Sequence, residues 1–299
     1  PPPSLGHMVG STLNLNVGAQ SYLRTAEPAN QSEQYTITRL PSGTIRIAAF
    51  GRIEDFEGVS EITGDFGDGN DAVNLDVGTV NVTIWGGSGK DSIHYAGTGQ
   101  ALLYGDEGDD ELTVGGTPSS SSVLYGGAGN DTLINQSSVD IALYGQDGDD
   151  VLLGGTGNDS ILDGGAGNDS IRGRAGRDSM FGGPGVDRLI VEIGDLVLSE
   201  TVDGGAGEDQ VVILGDSNAQ DLRVTMVGNL VKISSFSGGS ETGSVTLTGV
   251  ETVVLSGGEG ADQFSVVGQL ELGGVTEVVV DMGRVVTESG QLRDSAADH

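Results

Sequence analysis

The sequence predicts an all-β fold, a solenoid of short coils stacked in parallel. Three observations carry that expectation. Eleven times the chain writes glycine, one residue, aspartate, and then an apolar residue two places on; the fullest copies read Gly-Gly-Ala-Gly-Asn-Asp, at 126–131 and 164–169. Eight of these aspartates, Asp71, Asp91, Asp110, Asp131, Asp150, Asp169, Asp187 and Asp209, follow one another at intervals of 18 to 22 residues. A second register keeps the same interval: Trp85, Tyr104, Tyr125 and Tyr144 each precede the first glycine of a copy. No stretch combines 3.6-residue apolar spacing with helix caps, so helix content should be near zero.

Each part of a coil has a physical reason. Glycine accepts positive φ and lets the backbone fold tightly enough to aim its carbonyls inward. The glycines of the loops are Gly67, Gly69, Gly87, Gly89, Gly108, Gly127, Gly129, Gly148, Gly155, Gly157, Gly165, Gly167, Gly183, Gly185, Gly205 and Gly207. A carboxylate follows at once. After it the chain must run extended, so that the second residue (Val73, Ile93, Leu112, Leu133, Leu152, Ile161, Ile171, Met180, Leu189, Val211 and Phe264) points into a core and its neighbours point out. Hard divalent cations, calcium above all, take six or more oxygens from carboxylates and carbonyls at about 2.3–2.6 Å. One such turn offers too few, so two stacked turns are needed per ion.

The intervals also divide the loops between two edges. The eight aspartates of the main series form a single file, one loop per coil, with seven gaps. Asp159 and Asp178 fall midway between members of that series and belong on the opposite edge, where they form one further gap. The rest of that second edge reads as ordinary turns, at 97–100, 115–118 and 135–138. Asp262 has no recognisable partner loop one coil away. Three copies carry Asp106, Gln146 or Arg174 in place of the second glycine, and Phe66 replaces the first glycine of the earliest copy.

The pattern Gly-Gly-x-Gly-x-Asp-x-apolar-x closely resembles the RTX nonapeptide, the hemolysin-type repeat of type I-secreted bacterial proteins. The resemblance implies a right-handed parallel β-roll or β-helix with calcium in its turns, in a chain that stays loose at low calcium and folds outside the cell. The implied ligands are the carboxylates of Asp71, Asp91, Asp110, Asp131, Asp150, Asp159, Asp169, Asp178, Asp187 and Asp209 with carbonyls of the glycines above. About six to eight Ca²⁺ are expected.

Composition agrees with that partner. Glycine makes up 53 of 299 residues, far above the usual roughly 7%, and its period marks turns rather than disorder. Thirteen basic residues face 44 acidic ones, for a net charge of −31, which excludes nucleic acid and anionic membrane as partners. Without a cation the facing carboxylates repel, and a charged, glycine-rich chain poor in aromatics stays largely disordered. Metal binding then drives folding. The absence of cysteine removes disulfides, thiol catalysis and thiolate metal sites. No apolar run reaches the length of a transmembrane helix.

Around the array, 61–213, the flanks read as strands. Residues 44–50 parallel 230–236, residues 56–59 parallel 247–250, and twelve residues after Val59 and Val250 stand Asp71 and Asp262. The N-terminal flank, 9–60, and the C-terminal flank, 214–287, are expected to extend or cap the solenoid, or to mark a larger unit repeated in a longer parent protein. Residues 1–8 read as an expression remnant ending in Gly-His-Met, and 288–299 as a frayed polar tail. No zinc-protease His-Glu-x-x-His and no Gly-x-Ser-x-Gly elbow occurs. His94, beside the inward Ile93, is expected at the surface, and the pairs Asp109/Asp110 and Asp149/Asp150 are explained by the repeat, so no catalytic residue is expected.

The resulting expectation is a calcium-dependent structural module, a stalk or adhesin repeat at the cell surface or outside the cell, with neighbouring repeats of its parent or a surface polysaccharide as partners. Two alternatives stay open. One is the secretion and folding module of an enzyme or toxin. The other is a carbohydrate-binding solenoid that uses the aromatic series.

Overall fold

The computed structural model describes residues 4–17, 32–194, 200–215, 221–227, 230–237, 239–256, 263–267 and 275–281. Asp262 and the tail 288–299 lie outside the described residues. Among those described there are strands and turns and no helix. The chain divides into two compact units, Pro1–Val151 and Leu152–His299.

In the first unit the chain alternates between two sheets. One runs in the order Gly6–Val9, Thr12–Leu15, Glu61–Asp65, Asn81–Ser88, Ala101–Glu107, Val123–Ala128, Ala142–Asp147. The other runs Arg52–Phe56, Ile45–Ala49, Gln34–Arg39, Ala72–Asp76, Ser92–Tyr95, Glu111–Val114, Thr132–Asn135. From Glu61 onward every pairing is parallel and in step: Leu103 lies beside Ile84 and Leu124, and Leu112 beside Ile93 and Leu133. These are the inward positions, and all are fully buried or nearly so. Burying a side chain of this size contributes about 1.5–3 kcal/mol, repeated in every coil.

The second unit repeats the scheme. Ser170–Arg172, Arg188–Glu192, Gln210–Leu214, Thr252–Ser256 and Glu277–Asp281 form one parallel series. Ile161–Ala166, Ser179–Pro184 and Thr201–Ala206 form another, whose next neighbour is Ser240–Thr248. One inward position differs from expectation. Ile161 is half-exposed and Leu162 is buried in its place, paired with Met180. One extra residue after Asp159 therefore shifts the inward side chain from the second to the third position.

The flanks are antiparallel meanders, which alternation alone does not reveal. Gln34–Arg39, Ile45–Ala49 and Arg52–Phe56 form one; Asp221–Val227, Leu230–Ser237 and Ser240–Thr248 form the other. Their registers coincide. Ile45 faces Phe56 as Val231 faces Leu247, and Ile37 faces Ile47 as Val224 faces Ile233. The first strand of each then pairs in parallel with a later strand, Tyr35 with Val73 and Leu222 with Phe264. The short sequence likeness between the flanks is thus a likeness of fold. Residues read as an expression remnant also take part: Leu5 is fully buried, and Gly6–Val9 pairs antiparallel with Thr12–Leu15.

Candidate metal centre

The Gly-x-Gly-x-Asp turns join the two strands of a coil, and they stack. In the first unit Asp71 N–H donates to Oδ1 of Asp91 at 2.7 Å, Asp91 to Asp110 at 2.7 Å, Asp110 to Asp131 at 2.8 Å and Asp131 to Asp150 at 2.7 Å. In the second unit Asp169 donates to Asp187 and Asp187 to Asp209, both at 2.8 Å. The predicted single file is therefore present within each unit. Asp159 and Asp178 stand apart from it, on turns that lead from the other sheet, and Asp159 N–H donates to Oδ1 of Asp178 at 2.8 Å.

This bonding occupies one carboxylate oxygen and leaves the other. Oδ2 of Asp91, Asp110, Asp131, Asp187 and Asp209 is buried with no hydrogen-bond partner. Leaving so polar an acceptor dry and unbonded is costly. Burial accordingly pushes Asp91, Asp110 and Asp150 up to about 6 and Asp131 up to about 7, despite the N–H bonds that favour the charged form. Asp187 and Asp209 are raised for the same first reason.

The glycines show what surrounds that oxygen. A Cβ built on Gly86 would fall within 3.0 Å of both Oδ2 of Asp91 and the carbonyl of Gly105; on Gly105, within 3.0 Å of Oδ2 of Asp110 and the carbonyl of Gly126. Gly126 and Gly182 repeat this with Asp131 and Gly145, and with Asp187 and Gly204. A carboxylate oxygen of one coil and a carbonyl of the next thus converge at each of these four positions. Among the described residues no three acidic, histidine or cysteine side chains converge on one point. A cation there must draw most of its oxygens from the backbone, which suits Ca²⁺ and argues against a nitrogen- or sulfur-seeking metal. The donor set fits.

The second glycine of each loop faces the coil before it. A Cβ on Gly87, Gly127, Gly183 or Gly205 would fall within 3.0 Å of that coil's carbonyl, and these glycines hold φ of 101° to 121° together with Gly165. Asp106, Gln146 and Arg174 occupy the same place at φ 75°, 83° and 64°, inside the left-handed well that side chains tolerate at a cost.

Residues 120–137, 143–161 and 160–189 match the sequence profile of the RTX calcium-binding nonapeptide repeat, in 4 copies. The chain carries RTX repeats. No curated protein matches the chain. The RTX loops beyond those stretches, at Asp71, Asp91, Asp110 and Asp209, are joined to the series by the bonding just described.

The structure adds residues that the motif does not mark. Residues preceding the RTX aspartates form a second, outer ladder: Oδ1 of Asn70, Asp109, Asn130 and Asn168 accepts the N–H of Lys90, Asn130, Asp149 and Val186 at 2.8 to 2.9 Å. Asp109 is therefore a bonded position as well as an exposed one. Glu33, almost fully buried, donates its N–H to Oδ1 of Asp71 and stands where an RTX aspartate would. Glu251 accepts from Asp209 N–H through Oε2 at 2.8 Å. The signal for both was a carboxylate two residues before an inward apolar residue, Tyr35 or Val253, but neither sits in a recognisable copy of the motif.

The aromatic series stacks as its spacing predicts. Centroids of Trp85 and Tyr104 lie 5.5 Å apart, Tyr104 and Tyr125 4.9 Å, Tyr125 and Tyr144 5.2 Å, with planes within 10°. All four rings are half-buried, on the outward side of their strands. In the second unit the same position reads Asp163, Phe181, Asp203, so no such column continues there. Among the described residues no helix is long and apolar enough to cross a membrane.

Proposed function

We propose that this chain is a calcium-dependent folding module of a secreted or cell-surface bacterial protein, serving as a stalk or adhesin repeat. The observation that carries this reading is the set of buried carboxylates Asp91, Asp110, Asp131, Asp187 and Asp209, each with one oxygen turned toward a carbonyl of the next coil and no hydrogen bond to it. A divalent cation in each gap answers that demand. About six to eight ions, held by Asp71, Asp91, Asp110, Asp131, Asp150, Asp159, Asp169, Asp178, Asp187 and Asp209 with the loop glycine carbonyls, offset much of the net charge of −31. The protein's own part is to aim the backbone, bury the carboxylates and stack the coils. The chain's role in this reading is mechanical and not catalytic.

Far-UV circular dichroism tests it. In EGTA the chain should be mostly disordered, and millimolar Ca²⁺ should produce a β spectrum; identical β spectra in the two conditions overturn the reading. The stalk role is supported by the two meanders of matching register, as a unit repeated along a longer parent chain would give. Further copies of that unit in the parent sequence support the stalk, whereas an enzyme or toxin domain beside it replaces the stalk with a secretion and folding role.

The aromatic column bears on carbohydrate binding. Sugars dock on open ring faces, and Tyr104 and Tyr125 each have a neighbouring ring on both faces. This favours packing over polysaccharide capture.

A further inference from the structure

We propose that residues 248–251 close the RTX row with one more calcium site, formed between the loop 204–209 and Glu251. The proposal rests on the calcium reading of the regular loops and extends it to a turn outside the motif.

Glu251, half-buried where the RTX aspartates are buried, reproduces the hydrogen bonds that such an aspartate makes with the loop before it. Its Oε2 accepts the N–H of Asp209 at 2.8 Å, as Oδ1 of Asp209 accepts that of Asp187. The next residue, Thr252, donates its N–H to the Asp209 carbonyl at 2.9 Å, as Gln210 does to Asp187. The second residue on, Val253, is fully buried, and the second residue back, Gly249, has positive φ, at 55° where Gly69, Gly89, Gly108, Gly129, Gly148, Gly167, Gly176, Gly185 and Gly207 hold 130° to 156°. The turns also differ in length. Asp203 and Thr248 are paired, yet Asp209 follows six residues after the first and Glu251 three after the second. A shorter turn leaves its terminal residue further from the gap, and the additional methylene of glutamate spans it.

Two oxygens already converge on this gap. A Cβ on Gly204 would fall within 3.0 Å of both Oδ2 of Asp209 and the carbonyl of Gly249, the arrangement seen at Gly182 with Asp187 and Gly204. Asp209 is fully buried, and that Oδ2 has no hydrogen-bond partner. The N-terminal meander supplies the contrast. There Gly58 and Ser60 stand where Gly249 and Glu251 stand, Ser60 N–H reaches the Ser11 carbonyl at 2.9 Å, and the two hydroxyls bond at 2.8 Å. With serine in place of Glu251, the same turn satisfies its terminal residue against Ser11 and offers no carboxylate at that position.

The test is the ion count of the full chain by native mass spectrometry at saturating Ca²⁺, for the wild type and Glu251→Gln. The amide keeps the acceptor for Asp209 N–H and removes the charge. The expected result is one ion fewer with the β spectrum retained; equal counts overturn the proposal. Should Glu251→Gln fail to gain a β spectrum, hydrogen exchange of the wild type decides. Protection of 246–256 that appears in the same calcium transition as that of 204–210 supports the site. Protection of 246–256 that is the same in EGTA and in Ca²⁺ overturns it. A wild type that binds no calcium at all would instead defeat the reading of the regular loops.

Discussion

The two edges of the first unit turn the chain by different chemistry. On one edge, the loops ending at Asp71, Asp91, Asp110, Asp131 and Asp150 bury a carboxylate in every coil and leave an oxygen unanswered at Asp91, Asp110 and Asp131. On the other edge, turns of the same task meet neutral partners, within the turn or in the next coil. Asn135 Oδ1 accepts the N–H of Ser137 at 2.9 Å and its Nδ2 donates to the Val139 carbonyl at 3.0 Å; Ala101 N–H finds Ser122 Oγ at 2.9 Å. A neutral turn whose polar groups are satisfied makes no demand of its own on an ion. A turn that buries charged carboxylates needs a cation or a proton to offset them. On the calcium reading, one edge of the coil makes no demand on the ion, and the other is a switch.

Asp131→Ala against Asn135→Ala breaks this comparison most sharply. Asp131 holds Asp110 N–H and borders two gaps. Its loss should remove one or two ions and raise the calcium midpoint for folding markedly, since an uncompensated buried group costs about 3–5 kcal/mol. Asn135→Ala loses turn hydrogen bonds, at a cost of about 1–2 kcal/mol, with the ion count intact. Native mass spectrometry reads the count; an ion lost from Asn135→Ala would show that the edges are not independent.

A methyl group in place of a proton should come next. On Gly127 it would meet the Asp106 carbonyl, and φ is 121°. Gly127→Ala is expected to destabilise the calcium-loaded state by about 2–4 kcal/mol, from strain and displaced backbone together. Gly115→Ala, on the other edge, meets only ordinary contacts at 3.8 Å or more, and should cost less than about 1 kcal/mol. Thermal melts in calcium that place the two variants together would undo the argument from close approach.

Acidity should act on the switch edge alone. In the absence of metal, burial holds Asp91, Asp110 and Asp150 at about 6 and Asp131 at about 7, above the roughly 3.9 of an unfolded aspartate. A raised carboxyl contributes stability that is fully present below the unfolded value and lost as pH rises through the folded one. In EGTA, then, β structure should grow as pH falls from 7.5 toward 5, and Asp131→Asn should weaken that dependence near pH 7. With calcium the sign inverts, because protons compete for the same oxygens. Circular dichroism in EGTA that is flat between pH 7.5 and 5 would contradict the buried state of these groups.

The contrast also explains what was legible in the sequence. The switch edge recurs at fixed spacing because cation coordination admits few substitutes for glycine and aspartate, so the row, its second-edge pair Asp159 and Asp178, and the Trp85–Tyr144 column followed from intervals alone. The neutral turns vary freely, and only their existence was predictable. Glu251 and Glu33 escaped notice because each keeps the carboxylate but not the full glycine frame. The antiparallel meanders escaped as meanders because alternation gives the same pattern in either strand direction. Ile161 was placed inward by counting two from Asp159, and a single added residue after that loop moved the role to Leu162.

The smallest expected effect lies at the loops that depart from the motif. Gln146 holds φ at 83°, against 101° to 121° at Gly87, Gly127, Gly165, Gly183 and Gly205 and 80° at Gly67. Its side chain is exposed, so the cost of the left-handed backbone is not repaid by burial. Gln146→Gly frees that conformation and lets the loop relax toward its neighbours. Glycine also enlarges the unfolded ensemble, which offsets part of the gain. The net expectation is a stabilisation of up to about 1 kcal/mol in calcium, with the ion count unchanged, seen as a slightly higher melting temperature and a slightly lower calcium midpoint. The same change at Ser138, on the self-satisfied edge, removes no backbone strain and should leave the calcium midpoint where it is or raise it. If Gln146→Gly lowers the melting temperature in calcium, the left-handed residue is favourable where it stands, and strain does not distinguish the irregular loops from the regular ones.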